Sequence, residues 1–253
     1  MDSKARVLRA LAHKETDRVP IDYWGAREVD TLLCQHFRVR SKDEVLERLG
    51  VDLRIVFPKY IGPELRMYAD GSYDDVWGVQ RKTIRIERGS YDHVVFNPLS
   101  SMKTIDELEA WAPPSPDWYD YASLKPLCDR YQGYATVLVG DRINRTSVLH
   151  AAIYLRGTQR ALTDPIVNPE FTHRLYEKIT GFYSEVNRRC FDAAGDAVDI
   201  FMIGEDLGTQ DCLLVHPWIF QEFIRPHLTA HIKLAKGYGV KVILHSCGAI
   251  RPL

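Results

Sequence analysis

The chain has 253 residues, with 33 Lys and Arg against 34 Asp and Glu, a formal net charge of −1. Hydrophobic residues make up 45% and charged residues 26%, which excludes an intrinsically disordered chain. Without a basic excess, a dedicated nucleic-acid binder is excluded too. No run of about 18 apolar residues offers a membrane-spanning helix. Residues 1–9 mix charge into an amphipathic pattern where a secretion signal would be continuously apolar, so the expected location is cytoplasmic. The cysteines, Cys34, Cys128, Cys190, Cys212 and Cys247, are odd in number and widely spaced. That argues against a disulfide framework and for small buried side chains, with Cys247 set apart below.

In chain order, a helix is predicted over 4–13, with Val7, Leu8, Leu11 and Ala12 on one face. The apolar and aromatic run 19–24 predicts a strand, and a helix follows over 27–37. Ser41 and Glu44 form a capping box for the next helix, which Gly50 ends; residues 51–57 predict a second strand. Residues 66–98 are rich in β-prone side chains, with turns at Asp70-Gly71 and Arg88-Gly89-Ser90, and predict an antiparallel hairpin insertion. Thr104 and Glu107 cap a short helix, and Pro113-Pro114-Ser115-Pro116 is a stiff linker.

From about residue 134 strands and helices alternate. Residues 135–140 predict a strand. Asn168 and Pro169 open a helix, by side-chain capping and a proline at the first position, that extends to 194 ahead of Gly195. A strand over 197–204 precedes a helix from Pro217 to about 236, bent at Pro226. The last strand is 240–246. Five strands that are apolar throughout, each followed by a helix, indicate a parallel sheet covered on both faces. An open five-stranded sheet satisfies this pattern. So does a single-domain (β/α)8 TIM barrel that is incomplete at its C-terminus, because the sequence stops at Arg251-Pro252-Leu253 directly after a strand. The incomplete barrel is the expectation adopted.

Residues suited to chemistry gather at predicted strand ends. In Leu244-His245-Ser246-Cys247-Gly248, strand alternation points His245 and Cys247 the same way. They sit at the carboxyl end of a parallel strand, where barrel sites form. Imidazole nitrogen and thiolate sulfur are both zinc ligands, although His-x-Cys alone equally fits a buried pair. In Ile203-Gly204-Glu205-Asp206-Leu207-Gly208, adjacent carboxylates point to opposite sides, and Phe201, Ile203 and Glu205 share a face. Glu205 and Asp206 are candidates for metal binding or acid–base work. Asp22 and Asp52 lie in the first two strands, where an unpaired acid is costly, and are further catalytic candidates. Tyr23, and Arg142 after Gly140-Asp141, are the candidate substrate-binding residues, all expected at one rim. Phosphate-loop, dinucleotide-turn and nucleophile-elbow motifs are absent from the sequence.

The segment from Arg6 to Leu11 with Asp17-Arg18-Val19-Pro20-Ile21 resembles the opening of the uroporphyrinogen decarboxylase superfamily. The pairing of Gly204-Glu205-Asp206-Leu207-Gly208-Thr209-Gln210 with His245-Ser246-Cys247-Gly248 and Ile250-Arg251-Pro252-Leu253 does so as well. The resemblance implies a (β/α)8 barrel whose chains continue several βα units further. It offers two activities. The decarboxylases carry an Arg-rich grip for the substrate's propionates, where this sequence has Ile21-Asp22-Tyr23-Trp24-Gly25-Ala26-Arg27. The zinc-dependent methyltransferases, which exchange methyl groups between a corrinoid protein and a thiol or other acceptor, use His-x-Cys and a distant second Cys. By that likeness His245 and Cys247 are zinc ligands, with a third ligand beyond Leu253, and Glu205 completes the shell or handles a proton. The expected function is therefore methyl transfer. Uroporphyrinogen decarboxylation in porphyrin biosynthesis is one alternative. The other is an inactive, partner-dependent fragment whose open edge invites association or homo-oligomer formation.

Overall fold

The computed structural model describes residues 1–87, 89–139 and 146–253. It opens with helices α1 (Ser3–Leu11), α2 (Arg27–Phe37) and α3 (Lys42–Arg48), followed by strand β1 (Leu53–Val56). The excursion that follows holds β2 (Lys59–Tyr60), β3 (Tyr73–Asp74), β4 (Gln80–Ile86) and β5 (Gly89–Phe96), then α4 (Ile105–Ala110), β6 (Tyr119–Asp120) and α5 (Leu124–Arg130). Next come β7 (Ala135–Leu138), α6 (Leu149–Arg156), α7 (Thr158–Val167), α8 (Pro169–Ala194) and β8 (Ile200–Gly204). The chain ends with α9 (Pro217–Ile219), α10 (Arg225–Gly237) and β9 (Lys241–His245).

Local chemistry explains the helix ends. Asp2 accepts the Ala5 amide at 2.7 Å to start α1. Both predicted capping boxes, Ser41 with Glu44 and Thr104 with Glu107, are formed. Asn168 makes no side-chain cap. Pro169 at the first helical position has no amide to satisfy, and the expected asparagine cap is corrected accordingly. The bend expected at Pro226 is a π-helical turn over Phe220–Ile224, placed just before the proline.

β1, β7, β8 and β9 form one parallel sheet in that order. Alternation divides its side chains. Leu53, Ala135, Val137, Ile200 and Met202 pack with Val7 of α1 on one face. Val56, Leu138, Phe201 and Ile203 join the larger core with Phe171, Leu175, Ile179 and Val186 of α8 on the other. The hairpin insertion is present as the antiparallel set β3-β4-β5; Arg88 at its tip lies outside the described residues. The small β2–β6 pair had no signal in the sequence.

Two expectations are corrected. Residues 19–24 form no strand; Val19 is 81% exposed. Pro20 has no amide to give a ladder, and one backbone bond, from the Asp52 amide to the Ile21 carbonyl at 2.8 Å, holds this segment together with side chains. Arg18 donates to the Val19 carbonyl, and Asp52 accepts the Ile21 amide. Among the described residues the parallel sheet thus has four strands rather than five, and no closed barrel forms. No helix among the described residues is long and apolar enough to cross a membrane.

Asp52 immediately precedes β1 and is fully buried. Arg6 reaches its carboxylate at 2.7 Å and Arg18 at 2.6 Å. Burial pushes the Asp52 carboxyl up, but hydrogen bonds from Arg18, the Ile21 amide and Arg6 more than reverse this and hold it at about 2. A depressed folded-state pKa gives stability that is present above the unfolded value of about 4 and lost as pH falls through about 2. Asp52→Asn leaves Arg6 buried with half its pairing. It should cost about 3–5 kcal/mol at pH 7 and flatten the acid limb of a Tm-against-pH curve below about pH 4.

His231 on α10 is equally buried, and neither ring nitrogen has a hydrogen-bond partner among the described residues. Burial, aided by nearby His227, pushes it down to about 4. The unfolded chain, titrating near about 6.5, takes up this proton first, so stability falls as pH drops from there toward about 4. His231→Leu should flatten that separate, higher window, read in the same Tm series.

Candidate metal centre

The centre is built where β8 and β9 end. Their ladder runs in register from Ile200 opposite Lys241 to Gly204 opposite His245. Past it, the two loops stay joined. Glu205 donates its amide to the His245 carbonyl at 3.0 Å, Leu207 to Ser246 Oγ at 3.0 Å, and Ala249 to the Thr209 carbonyl at 2.8 Å. Gly208 and Gly248 make this approach possible. A Cβ on Gly248, where φ is +83°, would stand 2.4 Å from the Gly208 carbonyl carbon.

This lacing gathers three unlike donors. His245 Nε2 lies 3.3 Å from Asp206 Oδ1 and 3.5 Å from Cys247 Sγ. One donor atom from each of Asp206, His245 and Cys247 lies within 4.8 Å of the others. Asp206 Oδ1 also accepts the Cys247 amide at 2.9 Å. Partial burial raises the Asp206 carboxyl, but hydrogen bonds from Cys247 and the neighbouring His150 and His245 outweigh it, so it stays ionised below the usual carboxylate range. Cys247 faces solvent and the other two are half-buried.

Glu205 turns the other way, toward the helix layer, as alternation predicts. Its carboxylate is fully buried and sits on the first turn of α6. It accepts the amides of Val148 at 2.6 Å, Leu149 at 3.1 Å and His150 at 3.1 Å. A buried charge needs this satisfaction, and the positive end of a helix supplies it. His150 Nδ1 meets the same carboxylate at 3.2 Å, and His150 Nε2 lies 3.9 Å from Asp206 Oδ2. Glu205 therefore ties β8 to α6 and orients His150. Its carboxylate is not among the three donors that converge, which are those of Asp206, His245 and Cys247.

The other expected site residues do not converge here. Asp52 lies at the amino end of β1, whereas the cluster follows the carboxyl ends of the parallel β8 and β9. The expectation of one common rim is corrected, since a parallel sheet puts starts and ends on opposite sides. Asp22 is exposed, accepting the Tyr23 amide and the Trp24 indole. The Tyr23 hydroxyl donates to Asp30. Arg142 lies outside the described residues. His150 had no signal of its own, being a lone histidine in the apolar run Val148-Leu149-His150-Ala151-Ala152; only the tertiary contact with Glu205 reveals it.

The family model for uroporphyrinogen decarboxylase (URO-D) matches residues 83–253, more than half of the chain and the whole of the cluster. No curated protein matches the chain significantly. The glycine lacing makes a direct test of how the cluster is held. Gly248→Ala should force the two loops apart, costing about 1–3 kcal/mol in thermal denaturation.

Proposed function

The chain belongs to the uroporphyrinogen decarboxylase family, and from that premise we propose that it is a zinc-dependent methyltransferase-like enzyme. It moves a methyl group from a corrinoid protein, or another methylated donor, to a small thiol acceptor. Members of the family are enzymes, decarboxylases or methyltransferases, and their fold is of the TIM-barrel α/β type. The observation that carries the reading is the convergence of the Asp206, His245 and Cys247 donors within 4.8 Å.

The residues fit zinc in chemistry and spacing. Carboxylate oxygen, imidazole nitrogen and thiolate sulfur are the ligand types zinc takes, and two such atoms on one tetrahedral ion stand roughly 3.3–3.6 Å apart. The Asp206–His245 and His245–Cys247 separations are 3.3 and 3.5 Å. Zinc bound there would act as a Lewis acid that lowers the pKa of an acceptor thiol. An ionised carboxylate and a thiolate with a neutral imidazole bring two negative charges, matching a dication. Asp206 supplies a third donor from this chain, where the sequence looked for one beyond Leu253. The exposed side of Cys247 is where an acceptor approaches. In the transfer, the acceptor sulfur's electron pair forms the new S–C bond while the donor–methyl bond breaks, its pair staying with the donor.

The decarboxylase reading fares worse because its substrate, with several carboxylates, needs cationic donors. The segment after Val19-Pro20 offers Asp22, already engaged by Tyr23 and Trp24. Wild-type protein should bind zinc stoichiometrically, and Cys247→Ser should bind it at least about tenfold more weakly. Equal affinity in both removes the zinc assignment. Coproporphyrinogen formation from uroporphyrinogen, expected to be absent, would replace methyl transfer by decarboxylation.

A further inference from the structure

The buried stripe of α10 is Leu228, His231 and Ala235, and its middle member is a group that can take up a proton. We propose that the seam between α8 and α10 is an acid-operated release. Protonation of His231 frees α10, and with it β9, while the rest of the chain stays folded. The seam stands on its own observations, and only its effect on the metal rests on the zinc reading above.

The packing leaves a proton on His231 nothing to pair with. The ring is fully buried, and among the described residues no hydrogen-bond partner reaches either nitrogen. It stands edge-on to Tyr183 of α8, at 6.3 Å between centroids. One turn back on α10, His227 Nδ1 meets the Thr180 hydroxyl of α8 at 2.8 Å, and the ring stands edge-on to Tyr176 at 5.8 Å. Phenols are neutral near pH 7, so neither tyrosine offsets a charge on His231. Glu177 and His173, both on α8, act on His227 in opposite directions. His173 is itself turned to Glu222, at 3.7 Å. An imidazolium at His227 would repel one at His231, so a second proton drives the helices further apart.

Burial, aided by His227, holds His231 down to about 4. Burial also lowers His227, against the pull of Glu177 and with the help of His173. Released from the seam, each imidazole returns to about 6.5. The released state therefore binds more protons, and release grows easier as pH falls from there toward about 4. His231 alone raises the release equilibrium about 20-fold between about pH 7 and about pH 5, and His227 adds to this.

The released unit includes half of the metal centre. The Val240 amide donates back to the Ala235 carbonyl at 3.1 Å, fastening the end of α10 to the start of β9. Among the described residues β9 has β8 as its neighbour in the sheet. A unit held by one strand and one helix can open before the whole chain does. His245 ends β9 and Cys247 follows, whereas Asp206 follows β8. Release thus draws two of the three donors away from the third.

The test is hydrogen exchange on the full, metal-free chain at about pH 7 and about pH 5, corrected for intrinsic rates. Amides of α10 and β9 should lose at least about 20-fold in protection on acidification, while those of α3 and α8 keep theirs. His231→Leu, which completes the apolar stripe, should remove about 20-fold of that loss. His231→Gln, neutral at both pH values, takes its place if the leucine variant does not fold. An equal loss in wild type and variant, or a loss shared by α3 and α8, overturns the proposal. Loaded with zinc, the wild type should yield its metal to a chelator on acidification more readily than the variant, by the same factor. Protonation of His245 is common to both chains and cancels. Equal zinc loss in the two overturns the coupling to the centre. Absence of zinc binding by the wild type at pH 7 overturns the zinc reading, and the exchange result still decides the seam.

Discussion

The ladder between β8 and β9 is the constraint on which the candidate centre depends. Because Gly204 stands opposite His245, the first residues beyond the ladder, among them Asp206 and Cys247, leave side by side. Side chains alternate with a period of two, so a slip of one residue would turn His245 and Cys247 toward the helix layer and bring Ser246 to the front. The register is set by what lies beneath. Phe201 and Ile203 are buried against the helices, and Ile200 and Met202 on the opposite face. Hydrophobic burial along the strands thereby positions polar atoms at their ends.

Charge is handled differently at the two rims of the sheet. At the amino end of β1, Asp52 is sealed from solvent and answered by two guanidinium groups and an amide. Its interactions are used up, and it fastens α1, the 19–21 segment and β1 together. At the carboxyl ends of β8 and β9, Asp206 is half-exposed, and its neighbours are an imidazole and a sulfur. These are polarisable donors rather than fixed positive charges. The first arrangement is suited to holding the fold and the second to holding a ligand.

Glu205 and Asp206 show how one peptide step separates two roles. Glu205 continues the buried face of β8 and meets the amides that open α6. Asp206 continues the other face and meets His245 and Cys247. The buried acid anchors the first turn of α6, and the half-exposed acid stands beside the imidazole of His245 and the sulfur of Cys247. Stability and chemistry meet at this dipeptide.

The sequence by itself determined the parts that rest on local rules. The capping boxes at Ser41 and Thr104, the long α8 opened by Pro169, the hairpin insertion and the apolar strands of the parallel sheet all follow from short-range periodicity and turn chemistry. The shared direction of His245 and Cys247 follows from strand alternation, and the family likeness from motif order. Tertiary structure alone decided the rest. Residues 19–24 look strand-like in composition, yet a strand exists only where a neighbour offers a ladder, and Pro20 and the Asp52 network supply other partners. Which carboxylate faces the cluster, and that Asp52 lies at the opposite rim, depend on where parallel strands begin and end in space. That His150 meets Glu205, 55 positions away in the chain, is likewise decided only in three dimensions. A contact between distant residues leaves no periodic trace in either segment, because each obeys only its own local packing.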